Sequence, residues 1–157
     1  MAAIHRDAEA YGGFHVIAAD RDALWHVSSR GETPGAAPVG PIRLEPGLHG
    51  VSNGPRTVVW PKVRSGLAAL GAAIAGEPDI EALFALLADR EVPPDAELPD
   101  TGVGLELERA LGPRRIDHGP YGTRVSTVVL VGRTIRVEER SWDPGGGTTV
   151  IHRDVSQ

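Results

Sequence analysis

Apolar residues in the first third of the chain fall in short runs separated by glycine, proline and aspartate, a pattern typical of β-strands. The runs at 13–20 and 23–28 hold β-branched and aromatic residues, and aspartates at 20 and 22 supply turn material between them. This spacing predicts a β-hairpin. Two shorter runs predict strands over 41–45 and 47–52, on either side of a Pro-Gly pair.

The middle of the chain changes to a helical period. Val63, Leu67, Leu70 and Ile74 recur every three to four residues, which predicts a helix over 61–75 that begins at a proline suited to a first turn. A second apolar stripe, stopped by two prolines, predicts a helix over 78–90. A third, shorter helix is predicted over 103–111.

The last third returns to strand patterns. Segment 123–131 is largely apolar, which predicts a central strand buried on both faces, and segment 134–140 alternates, which predicts a more exposed neighbour. A tight turn makes them a second hairpin, and 148–152 predicts a last strand. The order of strands, helices and strands predicts one α+β domain over 1–157, a sheet with helices packed on it.

The composition narrows the class of protein. A chain of 157 residues with 41% hydrophobic residues and a net charge of -5 is typical of a globular domain. Its acidic balance and lack of long basic runs argue against a nucleic-acid surface. No apolar stretch approaches the ~20 residues of a membrane span, and the N-terminus lacks the core of a signal peptide, so we expect a cytoplasmic protein.

Several familiar kinds of site lack their sequence pattern here. With no cysteine the chain offers no thiolate ligand or thiol nucleophile, and the six histidines lack metal-binding spacing, so we expect no metal and no cofactor. His15 and His26 could face each other across the first hairpin as packing residues. Glycines 145–147 lack the lysine and helix of a phosphate loop, and no serine lies in a nucleophile elbow.

Polar residues at the mouths of apolar strands form the candidate ligand site. Asn53 can donate an N–H to a developing oxyanion, and Arg124 can bind a carboxylate or a phosphate. We expect Ser52, Asn53, Tyr121 and Arg124 to lie near one pocket that takes a small molecule. The same residues allow an alternative, in which Asn53 is a turn residue and Arg124 pairs with a surface acid.

Seven blocks of sequence resemble, in order, those of the NRDE family, whose eukaryotic members are called transport and Golgi organization protein 2. The blocks are Tyr11-Gly-Gly-Phe14, Leu24-Trp-His-Val-Ser-Ser-Arg30, Gly47-Leu-His-Gly-Val-Ser-Asn-Gly54, Trp60-Pro-Lys-Val63, Tyr121-Gly-Thr-Arg124, Ser126-Thr-Val-Val-Leu-Val131 and Glu138-Glu-Arg-Ser-Trp-Asp-Pro-Gly-Gly146. The resemblance runs from about 11 to 146 and covers the C-terminal two thirds of such a protein.

This resemblance implies an N-terminal nucleophile (Ntn) hydrolase-like fold, a four-layer αββα sandwich, here incomplete because N-terminal strands are missing. In the wider superfamily an asparagine in a motif similar to Ser52-Asn53-Gly54-Pro55 contributes to the oxyanion hole, and Asn53 holds that position here. Family members open with Met-Cys, followed by an Asn-Arg-Asp-Glu motif, and this chain has neither. The nucleophile is therefore absent, and we expect no amide or acyl hydrolysis.

Two classes of function remain open from the sequence. The first is the pocket-bearing part of an Ntn-type hydrolase of non-peptide C–N bonds, with its nucleophile on residues outside this chain. The second is a non-catalytic binding module, for which the family implies haem, acyl-CoA or lipid as the ligand. Missing strands would also leave a bare sheet edge or apolar face, which predicts a partner chain, self-association or a truncated reading frame.

Overall fold

The computed structural model of this chain describes residues 2–20, 22–31, 37–143 and 145–154. They form a mixed α/β structure in which every strand pairing is antiparallel. The described strands lie in three sheets, of three, two and three strands. The mixture of helices and strands is confirmed, but the expected single sheet is wrong, because the described strands pair only within three separate groups along the chain.

The chain divides into two compact units, Met1–Leu67 and Ala68–Gln157. Each unit is described by itself below, and the single domain over 1–157 stays a prediction. Within the described ranges, no helix combines the length and hydropathy that crossing a bilayer requires.

The first unit is built around a three-stranded sheet. Strands β1 (His15–Ala19), β2 (Leu24–Ser28) and β3 (Val39–Leu44) follow each other in space as in sequence, and the short helix α1 (Ala2–Arg6) packs against β2 and β3. The predicted hairpin is confirmed. Its turn is held by Asp20, whose Oδ1 accepts the backbone N–H groups of residues 22 and 23 at 2.9 and 2.8 Å.

The strand predicted over 47–52 is wrong. These residues pair with no strand in the part of the chain that the structure describes, and instead form an extended loop. Gly50 explains the difference, because it packs directly on the following helix: a Cβ there would lie 2.7 Å from Val63 Cγ1. The close approach of Gly50 to this helix takes the place of pairing with a strand.

Three α-helices follow close to their predicted places. They are α2 (Pro61–Ala73), α3 (Ile80–Leu87) and α4 (Leu105–Leu111). Helix α2 crosses the division between the units, and α3 begins at Asp79, whose side chain accepts two backbone N–H groups. The predicted helix over 78–90 was too long, since α3 ends at Leu87. Arg114 donates to the carbonyl of Leu86 and to the carboxylate of Asp89, and these bonds fix the path of the chain after the helix.

The second unit contains the C-terminal sheet. Short strands β4 (Asp117–His118) and β5 (Tyr121–Gly122) form a separate pair, and β6 (Val125–Val131), β7 (Thr134–Ser141) and β8 (Thr148–Asp154) form an antiparallel meander. Helix α3 packs on one face of β6, where Leu83, Phe84 and Val128 form the core.

The first C-terminal strand was predicted to be central in its sheet, and this is wrong. Strand β7, not β6, is central, and β6 is buried at alternate residues only. Its apolar sequence predicted burial on both faces, because the sequence does not distinguish the exposed valines of β6 from core residues. The pairing of β8 with β7 decides which strand is central.

Candidate functional site

A loop in the first unit presents Asn53 beside a half-buried Ser52. Asn53 is exposed, and the next residue, Gly54, is buried against Trp60, where a Cβ would lie 2.8 Å from the indole Cζ2. The loop passes so close to the tryptophan that only glycine fits at that point. The Asn53 side chain is thereby held at the surface of this unit, with its Oδ1 accepting a hydrogen bond from Arg30 Nη2 at 3.3 Å.

Arg30 follows β2 and lies across the backbone of Gly13. A Cβ on residue 13 would lie 2.4 Å from Arg30 Nη2, so this placement requires glycine. The Arg30 Nε is buried and has no acceptor within the described residues, and no carboxylate of those residues pairs with the guanidinium. The guanidinium therefore keeps donor capacity that a neutral amide oxygen satisfies only in part.

The serine hydroxyls next to Arg30 are engaged by the backbone. Ser28 Oγ donates to the carbonyl of Phe14 at 3.1 Å and accepts the Arg30 N–H at 2.9 Å, while Ser29 Oγ accepts the Phe14 N–H at 2.8 Å. These bonds fix the start of the loop that carries Arg30. They also engage both hydroxyls that precede Arg30 in the chain.

A histidine pair connects the sheet to the Asn53 loop. His15 Nδ1 lies 3.0 Å from His26 Nε2, and His15 Nε2 lies 3.1 Å from the carbonyl oxygen of Gly54. The rings stack, with centroids 5.3 Å apart and planes inclined by 16°. Since a carbonyl only accepts, Nε2 of neutral His15 carries the proton, and its Nδ1 accepts from Nε2 of His26.

The environment of His15 disfavours its charged form. Burial is the main cause that lowers the pKa of His15 below its ordinary value, and the positive charge of Arg30 adds to it. The hydrogen bond to Gly54 acts in the opposite direction but does not outweigh burial. The neutral His15 thus holds Gly54, and with it the Asn53 loop, against β1.

The other two predicted site residues lie in the second unit. Tyr121 is exposed in β5, and Arg124 forms an exposed ion pair with Asp143, with Nη2 to Oδ2 at 2.8 Å. That ion pair is the arrangement in the alternative interpretation of Arg124. Because Asn53 and Ser52 belong to the first unit, the pocket shared by all four residues stays a prediction.

Sequence reasoning assigned no binding role to Arg30 and treated His15 and His26 as packing residues. Gly12–Gly13 was the available signal for Arg30, because adjacent glycines in front of a strand permit a close approach by a long side chain. No cluster of three or more metal-ligating side chains occurs among the residues that the structure describes. The arrangement suits the binding of an acceptor group by Arg30 and Asn53.

Comparisons with known proteins place the chain in a family. The family model described as transport and Golgi organisation 2 matches residues 1–144. A protein of Mycobacterium tuberculosis (strain ATCC 25618 / H37Rv), named uncharacterized protein Rv3395c, is 33% identical over 118 residues, which cover 67% of this chain and 58% of that protein. No solved structure matches the chain. Since the family model covers most of its length, the chain belongs to the transport and Golgi organisation 2 family, as the resemblance predicted.

Proposed function

We propose that this chain is a binding module for a small acidic molecule, which it holds by a carboxylate or phosphate group at Arg30 and Asn53. The observation that supports this proposal is the buried Arg30 Nε, which has no acceptor within the described residues. A buried donor without an acceptor destabilises a structure by roughly 1–3 kcal/mol, and more when the group is charged. A ligand oxygen placed there would remove that cost.

The chemistry of the two side chains favours an anionic ligand group. Guanidinium donors form a planar fork that matches the oxygens of a carboxylate or a phosphate. The Asn53 Oδ1 already accepts from Arg30, so its amide N–H₂ group is the part available to a ligand. His15 adds no competing acceptor, because its Nδ1 is engaged by His26.

Hydrolysis has less support than binding. Asn53 could stabilise an oxyanion, but none of the 157 residues is a cysteine. Ser28 and Ser29, the hydroxyls next to Arg30, bond to the backbone of Phe14. The αββα sandwich belongs to the same proposal, and its support is family membership together with antiparallel sheets, one of which carries α3 on one face.

Calorimetric titration tests the proposed function. The ligands are coenzyme A, a medium-chain acyl-CoA and haem, all of which carry phosphate or carboxylate groups. We expect Arg30→Gln to weaken binding by about ten- to a hundredfold, the effect of a lost charge-assisted hydrogen bond. Asn53→Ala should weaken binding less.

One arginine variant serves as the control for the loss of one positive charge, and a second tests the predicted shared pocket. Arg43 lies in the same unit and donates to the backbone carbonyl of Asp22, so Arg43→Gln should bind like the wild type. Arg124→Gln tests the shared pocket, since weakened binding by this variant would bring Arg124 into the site. Equal affinity of wild type and Arg30→Gln for every ligand would refute the proposal.

A further inference from the structure

Strand β6 forms one outer edge of the C-terminal sheet and carries no charge. Its seven residues are Val, Ser, Thr and Leu only, with neither proline nor glycine. Among the described residues, its backbone pairs with β7 and with no strand on the other side. Natural edge strands usually carry a charge, a proline or a bulge that prevents pairing with another chain, and β6 has a regular register without them.

The opposite edge of the same sheet differs in sequence. Strand β8 ends in His-Arg-Asp, so charged residues occur along that edge. Protection of an edge by charge is the expected arrangement in a monomer. The contrast within one sheet marks the β6 edge as the one suited to pairing.

The side chains of β6 also leave apolar surface in solvent. Val125, Val129 and Val131 are 45%, 54% and 64% exposed, and they point to the face opposite α3. Val129 pairs with Val137, which pairs in turn with the exposed Ile151, so this apolar surface continues across the sheet. A strand added beside β6 would cover part of it.

We propose that β6 pairs with β6 of a second copy of this chain, antiparallel and with a two-fold axis at Val128. This register brings Val125 opposite Val131 and Thr127 opposite Val129 of the partner on the exposed face. On the other face, Ser126 lies opposite Leu130, and Val128 opposite itself. Every pair is apolar or contains a hydroxyl, so no charge is buried and no like charges meet.

The flanking residues also fit this occupant. In the same register, Arg124 comes opposite Gly132 and Arg133 opposite Thr123, so arginines of the two copies do not face each other. Arg124 is already paired with Asp143. A two-fold interface is self-complementary and closed, and each half supplies the backbone donors and acceptors that the other half needs. The two sheets then become one sheet of six strands.

This interface shares no residue with the acidic-ligand site. Arg30 and Asn53 lie in the first unit, whereas β6 lies in the second. Loss of the dimer therefore leaves the titration with acyl-CoA or haem as a separate measurement.

Analytical ultracentrifugation over a range of concentrations gives the first test. We expect the wild type to reach twice its monomer mass of 16.6 kDa. Val129→Lys should remove the dimer, because it places a like charge close to the two-fold axis of each copy. Ile151→Lys is the matched control: Ile151 is similarly exposed on the same face but lies in β8, so its variant should still dimerise. Circular dichroism checks that both variants are folded.

Cysteine cross-linking gives a second test that also reports the register. The chain has no cysteine of its own, so introduced thiols are the only ones present. Residues 127 and 129 face each other across the proposed axis, and Thr127→Cys/Val129→Cys should form a disulfide-linked dimer on mild oxidation. Val125→Cys/Val129→Cys places no two thiols opposite each other and should not. A monomer at all concentrations, loss of the dimer in Ile151→Lys, or equal cross-linking by both cysteine pairs would overturn the proposal.

Discussion

Two glycines control the geometry of the candidate site at the scale of single residues. Gly13 leaves room for the Arg30 guanidinium, and Gly54 leaves room for the Trp60 ring. In both places a side-chain methyl would lie under 3 Å from another side chain. Hydrogen bonds then hold the site in place, from Arg30 to Asn53 and from His15 to the carbonyl of Gly54.

The lowered pKa of His15 predicts a loss of stability in mild acid. Below about pH 6.5 the unfolded chain binds a proton at this residue before the folded protein does, so the free energy of unfolding falls as the pH decreases. At higher pH this contribution is fully present. We expect the wild type to lose more stability than His15→Gln between pH 7.5 and 5.5, measured by urea unfolding at each pH.

The half-buried His49 provides the control for this measurement. It lies next to the carbonyl of Glu45 in the same unit, so His49→Gln removes one histidine without touching the His15–His26 pair. If His15→Gln had the same pH dependence as the wild type, the burial of His15 would not cause the loss of stability.

At the scale of elements, one arginine ties α3 to the C-terminal sheet. Arg140 of β7 bonds to Glu81 of α3 and to the buried Glu138, and its guanidinium lies 3.8 Å from the centre of the Phe84 ring. Hydrogen bonds from Arg140 are the main cause that lowers the pKa of both carboxyl groups, and its positive charge adds to the effect. The same side chain therefore joins the polar and the apolar contacts between α3 and the sheet.

The start of α3 depends on a single side chain. Asp79 Oδ1 accepts the N–H groups of Glu81 and Ala82 at 2.9 and 3.2 Å. We expect Asp79→Ala to lower the free energy of unfolding by about 1 kcal/mol, the usual effect of losing an N-cap. Denaturant unfolding followed by circular dichroism measures it. Asp79→Asn should keep most of the stability, and an unchanged midpoint in Asp79→Ala would contradict a capping role.

At the scale of the whole molecule, family membership and residue content make different predictions. The family resemblance implies a hydrolase-like fold, while the 157 residues include no cysteine to attack an acyl or amide carbon. We expect the purified chain not to hydrolyse a penicillin or a bile-salt analogue above background, measured by product release. A burst of product that is lost in Asn53→Ala would restore a catalytic role for Asn53. Product formation that is the same in wild type and Asn53→Ala would point to another site or a contaminant.

The amino-acid sequence alone determined the local elements of this protein. Both hairpins, the helices over 61–73 and 80–87 and the family could be predicted, because apolar period, turn residues and helix ends depend on neighbours in the chain. The candidate Asn53 could also be chosen from its motif. These sequence signals can be interpreted without knowing which elements pack against each other.

Only the tertiary structure decided the pairing of strands and the partners of the site. It made β7 central, made 47–52 a loop whose Gly50 contacts α2, and brought Arg30 and His15 to the Asn53 loop. Each of these results depends on contacts between residues that are not neighbours in sequence. A run of valines has the same sequence pattern in a central strand and in an edge strand. Burial and hydrogen bonding between distant residues are properties of the folded chain, and they set which polar groups remain unsatisfied.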